Sequence, residues 1–178
     1  MVTISTELLK AIAPDARLDI IAPVGVALTM YFPVFKITTL YRVAHFLAQA
    51  AHESDGFQTL EEYASGKAYE GRQDLGNTHP GDGVRYKGRG IFQLTGLDNY
   101  SRMGRRLGIE LVTSPELAAG AEVSSHIACL YWQDKKLNTY ADADDIRSIT
   151  KRINGGYNGL KDRQHYLNRA KLALQEMN

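Results

Sequence analysis

Between Ala64 and Phe92 the chain cannot form regular secondary structure, and that one segment constrains the fold more than any other. Seven of the 16 glycines fall within it (Gly66, Gly71, Gly76, Gly81, Gly83, Gly88, Gly90), interleaved with Asn, Asp and Pro. Glycine at this density makes helix entropically unfavourable. An irregular run this long inside a compact domain is either a functional loop or a disordered one. Tyr69, Arg72, Tyr86 and Arg89 give it rings and guanidinium groups of the kind that stack on and hydrogen-bond sugars, which favours the functional loop.

On both sides of this segment the pattern is helical. Leu40, Val43, Ala44, Leu47 and Ala51 recur at helical spacing, with Thr38 or Thr39 as N-cap. That helix should stop near Ser54-Asp55-Gly56, with Gly56 in the left-handed conformation of a C-terminal cap. A second helix is expected after Thr95, with Asp98 completing a capping box, ending at Gly108. Ser114-Pro115-Glu116 gives another helix start, and Ile127, Leu130 and Tyr131 then mark a longer helix. Ile146, Ile149 and Ile153 mark one closed by Asn154-Gly155-Gly156, and Tyr166, Leu167, Ala170 and Leu174 share a face of the last. Ile20 to Phe35, broken by Pro23 and Pro33, reads as a buried helix with a turn, too short to span a bilayer. No repeat, low-complexity linker or internal boundary appears, so residues 1–178 are expected to be one domain without a separate binding module.

Composition excludes several classes. A formal net charge of +1 gives no electrostatic mandate for nucleic acid, and Arg85-Tyr86-Lys87-Gly88-Arg89 reads as solvated surface. The single Cys129 rules out an internal disulfide and suits a buried, inert thiol. The five histidines show no ligand spacing; His45 and His52 read as helix-packing residues. Gly88-Arg89-Gly90 lacks the Gly-Lys-Ser/Thr ending of a phosphate loop. Neither metal nor cofactor is expected. Trp132 sits among helical apolar residues and reads as core. No basic head and apolar run opens the chain, so no secretory signal is expected.

Glu53 closes the apolar helix, and apolar neighbours would desolvate its carboxyl and favour the protonated form. An acidic pair, Glu61-Glu62, follows past the helix-ending Gly56 in polar surroundings where a carboxylate stays ionised. On one continuous helix, nine residues would carry Glu62 to the opposite face, about 13 Å along the axis. The break at Gly56 lets the chain fold back across a groove. Two carboxylates in contrasting environments across a groove are what acid/base glycoside hydrolysis requires. Chemistry alone does not separate Glu61 from Glu62.

Three segments carry a resemblance. His52-Glu53-Ser54-Asp55-Gly56-Phe57 resembles the His-Glu-(Ser/Thr)-Gly-Gly signature of family 19 glycoside hydrolases, the plant-type chitinases and related bacteriophage endolysins. Tyr86 to Thr95 resembles that family's Tyr-x-Gly-Arg-Gly-x-x-Gln-Leu-(Ser/Thr) segment, continued by Asn99-Tyr100. Ile153-Asn154-Gly155-Gly156 and the later Asp162-Arg163 are similar to its Ile-Asn-Gly-Gly and Asp-Arg. The resemblance implies Glu53 as general acid, Glu62 as general base at the spacing of short bacterial members, and Thr95 as the hydroxyl that helps hold the attacking water. It implies Gln93, Asn99 and Asn154 as polar groups at the sugar subsites and Arg163 as an arginine supporting the cleft. Tyr86 and Arg89 complete the candidate substrate-binding set. The chain departs from the pattern at Asp55, where the family often has Gly, and it lacks the disulfides of plant members.

With the resemblance, the expected fold is mainly α and lysozyme-like, two helical lobes flanking a cleft with the Gly-rich loop on its rim and room there for a small β-hairpin. The expected activity is inverting hydrolysis of the β-1,4 glycan backbone of bacterial peptidoglycan by an endolysin. Such a protein would be monomeric, without stable membrane association, held in the cytoplasm of the host bacterium and acting in the periplasm or wall after holin-type release. The rival readings are a chitinase acting on poly-N-acetylglucosamine, a lytic transglycosylase, and an inactive glycan-binding module.

Overall fold

The computed structural model describes residues 2–177. Among them the chain forms nine α-helices: α1 (Thr6–Ile12), α2 (Leu18–Val34), α3 (Leu40–Glu53), α4 (Asp82–Arg85), α5 (Leu97–Leu107), α6 (Ala121–Asp134), α7 (Leu137–Asp142), α8 (Ile146–Asn154) and α9 (Leu160–Glu176). Three 3-10 turns, Lys67–Tyr69, Gln73–Leu75 and Pro115–Ala119, punctuate the rest. The architecture is mainly helical and lysozyme-like, as expected. The small β-hairpin reduces to two isolated antiparallel bridges, with Arg89 paired to Glu61 on one side and Leu94 on the other.

α3 is the axis. The Thr39 hydroxyl caps it by accepting from Arg42 N at 3.3 Å, and every residue from Val43 to Ala51 is buried. α9 packs along α3, with α7 and α1 also against it, while α2 packs on α6. Phe46 anchors the interior, its ring centroid 4.9 Å from Phe32, 5.1 Å from Trp132 and 5.5 Å from Phe92. Trp132 is fully buried, as its spacing predicts, with its indole N–H donating to Asn138 Oδ1 at 2.8 Å. Cys129 is buried too, and desolvation pushes its thiol far above the ordinary range, which removes it as a nucleophile.

Two local expectations fail. α2 runs unbroken through Pro23 and Pro33, without the expected turn, and only one side of it is covered. Ile21, Val24, Leu28 and Phe32 are buried, whereas Leu18, Val26, Met30 and Val34 are exposed. Each proline lacks the N–H that would donate four residues back, to Asp19 O and Thr29 O, so the helix continues at the loss of two hydrogen bonds. At α5 no capping box forms: the N-cap is Gly96, and the Thr95 hydroxyl turns back to Gln93 O at 2.9 Å.

The Gly-rich segment is pinned by its own polar groups. The Glu70 carboxylate accepts from Gly81 N (2.5 Å) and Gly83 N (2.9 Å). Buried Asn77 donates to Tyr69 O and accepts from Leu97 N, each at 2.9 Å, tying the loop to the start of α5. Gly90 N reaches Leu60 O at 2.7 Å, which fixes the far end of the loop against the chain leaving α3.

Candidate active-site cleft

The chain turns back after α3 through three consecutive left-handed residues, Asp55 (φ 52°), Gly56 (φ 65°) and Phe57 (φ 60°). Left-handed backbone at two non-glycine residues is uncommon and costs energy that the surroundings must supply. Here Gly56 N closes onto Ala51 O at 2.7 Å, Ser54 Oγ accepts from Phe57 N at 3.1 Å, and the Phe57 ring is fully buried. Asp55 therefore fits a position where the family often has Gly, and its carboxylate accepts from the Tyr63 hydroxyl at 2.8 Å.

That reversal brings Glu53 and Glu62 to the lining of one cleft of about 410 Å³, with His52, Tyr63, Gln93, Asp162 and Tyr166. Glu62 comes from the returning strand, whose backbone N–H donates to Gly88 O at 3.0 Å. Its neighbour points elsewhere: Glu61 Oε1 lies 3.1 Å from both Arg89 Nε and Lys87 Nζ. Alternation along extended chain separates the two acids that sequence chemistry left equivalent.

Glu62 is less solvent-open than its polar surroundings suggest. Oε2 accepts from the Tyr69 hydroxyl at 2.9 Å, while Oε1 is shielded and has no hydrogen-bond partner among the described residues. Burial, reinforced by this carboxylate, raises Tyr69 above its ordinary value, so the phenol stays a neutral donor. Gly88 permits the assembly. A Cβ there would stand 2.6 Å from Gln93 Oε1, 3.2 Å from Glu62 Oε2 and 3.3 Å from Thr95 Oγ1. Glu62, Gln93 and Thr95 thus converge on one bare stretch of backbone.

Glu53 is not in an apolar pocket. Arg163, buried on α9, donates to Glu53 Oε1 at 2.6 Å and to Gln49 Oε1 at 2.5 Å. Local sequence shows only the greasy residues before Glu53; the cation arrives from 110 positions later. No hydrogen bond to Glu53 Oε2 occurs among the described residues. Beside it, His52 Nδ1 lies 2.6 Å from Asp162 Oδ2. His52 is therefore a cleft residue, not the helix-packing one its neighbours suggested.

Two expected sugar contacts, Tyr86 and Arg89, are corrected by burial, and Arg163 is buried as well. Tyr86 packs in the core with its hydroxyl on Val112 O at 3.1 Å. Arg89 is buried among Glu61, Arg85 O and the Tyr100 hydroxyl. Arg163 is 1% exposed and reaches the cleft only through Glu53. Asn154 ends α8 exposed, outside the lining of this hollow. Asn99 lines an adjoining hollow of about 170 Å³ with Gln93, Thr95 and Tyr131, and donates to Thr95 O at 2.7 Å. Tyr63, Tyr166 and the His52–Asp162 pair were not foreseen as cleft residues, although His52 and Asp162 both lie in segments that carry the resemblance; Tyr63 and Tyr166 have no such local signal.

The family described as chitinase class I, glycoside hydrolase family 19, matches residues 28–156. A glycosyl hydrolase family 19 domain-containing protein of Haemophilus influenzae is 34% identical over 152 residues, covering 67% of this chain and 74% of that protein. An endochitinase of Arabidopsis thaliana is 35% identical over 134 residues, 74% of this chain but 45% of its own length. The chain thus spans under half of that plant relative. Chitinase C from Streptomyces griseus superposes with a TM-score of 0.78 at 21% identity, over 97% of this chain and 93% of that one. The class IV chitinase from Zea mays gives 0.71 at 18%, over 98% and 92%. At these identities the superpositions speak for the fold.

Proposed function

The chain belongs to glycoside hydrolase family 19, and from that premise we propose that it hydrolyses the β-1,4 glycan backbone of bacterial peptidoglycan by an inverting mechanism. The observation that carries the reading is that Glu53 and Glu62, from separate segments, line a single cleft. Glu53 is the general acid. Arg163 donates to Oε1 and leaves Oε2 to pass its proton to the glycosidic oxygen; the carboxylate left behind is paired with the same guanidinium. Glu62 is the general base, its carboxylate turned into the cleft and held there by the Tyr69 hydroxyl. Thr95 Oγ1, beside the same Gly88, helps hold the attacking water, and Gln93 forms part of the cleft wall. Inversion places the water between base and sugar, which requires carboxyl groups about 6.5–9.5 Å apart.

The wall glycan lies outside the cytoplasm, so the enzyme acts in the periplasm or wall after release from the host cell. A second reading, hydrolysis of chitin, is favoured by the endochitinase relatives. Mass analysis of products from purified peptidoglycan separates the possibilities. Fragments with a new hydrated reducing end are expected. Anhydro-sugar ends would replace hydrolysis by transglycosylation, and an intact wall alongside cleaved chito-oligosaccharide would establish the chitin reading.

A further inference from the structure

The cleft continues beyond the acid pair. A second hollow, of about 370 Å³, shares Asp55, Gly56, Asp162 and Tyr166 with the first and extends to His165, Arg169 and Asp15. Asp162, Tyr166 and Arg169 recur along α9 at steps of four and three residues, so one stripe of that helix floors both hollows. Asp15 approaches from the turn between α1 and α2.

The second hollow is set apart by its charges. Arg169 Nε donates to Ala11 O at 3.0 Å, which fixes the base of the guanidinium. Neither Arg169 nor Asp15 takes part in any of the ion pairs among the described residues. Asp162, Asp55, Arg169 and Asp15 all act on the Tyr166 hydroxyl, which burial raises above its ordinary value. Unpaired charges of both signs around one hollow suit a ligand that carries both signs. An uncharged N-acetylglucosamine polymer offers them hydrogen bonds but no opposite charge. The stem peptide of a bacterial wall carries free carboxylates and, on its diamino acid, an ammonium group. It branches from alternate sugars, so it leaves the strand close to any bond that is cut.

We propose that the hollow between the α1–α2 turn and α9 binds the stem peptide of the wall strand, Arg169 taking a peptide carboxylate and Asp15 the ammonium. The inference rests on the peptidoglycan reading. It makes the groove a two-part site, in which the acid pair cuts the sugar chain and the charged extension selects strands that bear peptides.

The test compares wild type with Arg169→Gln, and separately Asp15→Asn, on intact peptidoglycan, on the same glycan stripped of peptide by an amidase, and on chito-oligosaccharide. A lost charge-assisted hydrogen bond corresponds to about a tenfold rise in KM. That rise is expected on intact wall only, with kcat and both undecorated substrates unchanged, and those substrates also report that each variant is folded. Arg169→Lys, which keeps the charge, should recover part of the affinity. Equal changes on all three substrates, or none on intact wall, would overturn the peptide site while leaving peptidoglycan hydrolysis standing. A wild-type enzyme that cuts chito-oligosaccharide but never intact or stripped wall would overturn both.

Discussion

Glu61 and Glu62 are adjacent and chemically identical, yet one braces the loop and the other faces the cleft. The expected consequence is a clean division between two conservative variants. Glu62→Gln should lower kcat by roughly 10²–10⁴, as loss of a positioned base does, with little change in thermal stability. Glu61→Gln removes a carboxylate from buried Arg89 and from Lys87; because Glu61 is itself partly exposed, the cost should be about 1 kcal/mol of stability, with turnover close to wild type. Steady-state kinetics and thermal melts on both variants check this, and a reversed pattern would mean the wrong acid has been assigned. At this scale the sequence was legible where chemistry is local. A glutamate at a helix end and another past a glycine break could be read from spacing. Tyr86, Arg89 and Arg163 could not, since an arginine in a Gly-rich loop looks the same whether it meets solvent or Tyr100, and only the folded chain reveals which.

Among the elements, α3 holds the site to the body of the protein. It is buried along most of its length and still contains a fully buried imidazole: His45 Nε2 lies 2.8 Å from Asp144 Oδ1, and Asp144 Oδ2 receives Lys171 Nζ of α9 at 2.6 Å. Desolvation drives His45 below its ordinary 6.5, with Asp144 opposing and Lys171 assisting. The folded state therefore binds fewer protons than the unfolded chain once the pH falls below 6.5. Stability contributed by neutral His45 is present above that value and lost below it. The melting temperature should drop on acidification from pH 7 to 5, and His45→Gln should flatten the drop; identical slopes in both proteins would exclude His45 as the source. Helix ends with local signals were readable, including the Thr39 cap and the left-handed glycines at Gly108 and Gly155. The unbroken α2 and the missing capping box at α5 were not. In both cases the outcome depends on what packs against the element, and propensity is overridden by tertiary context.

For the molecule as a whole, the functional cleft exists only because two distant parts meet. α3 and α9 contribute Glu53, its arginine and the His52–Asp162 pair, while the returning chain and the Gly-rich loop contribute Glu62, its tyrosine and the Gly88 gap. The helical class of the fold and the presence of a functional loop were legible in the chain, but the Arg163 and Asp162 contacts that complete the groove and the Arg169 contact of its extension join residues more than 100 positions apart. The central claim is that Glu53 and Glu62 work from opposite faces of one sugar ring with a water between them. The most direct measurement is proton NMR of the anomeric configuration of freshly released product, read before mutarotation. The β-linked substrate should yield the α-anomer first; initial release of the β-anomer would contradict the account.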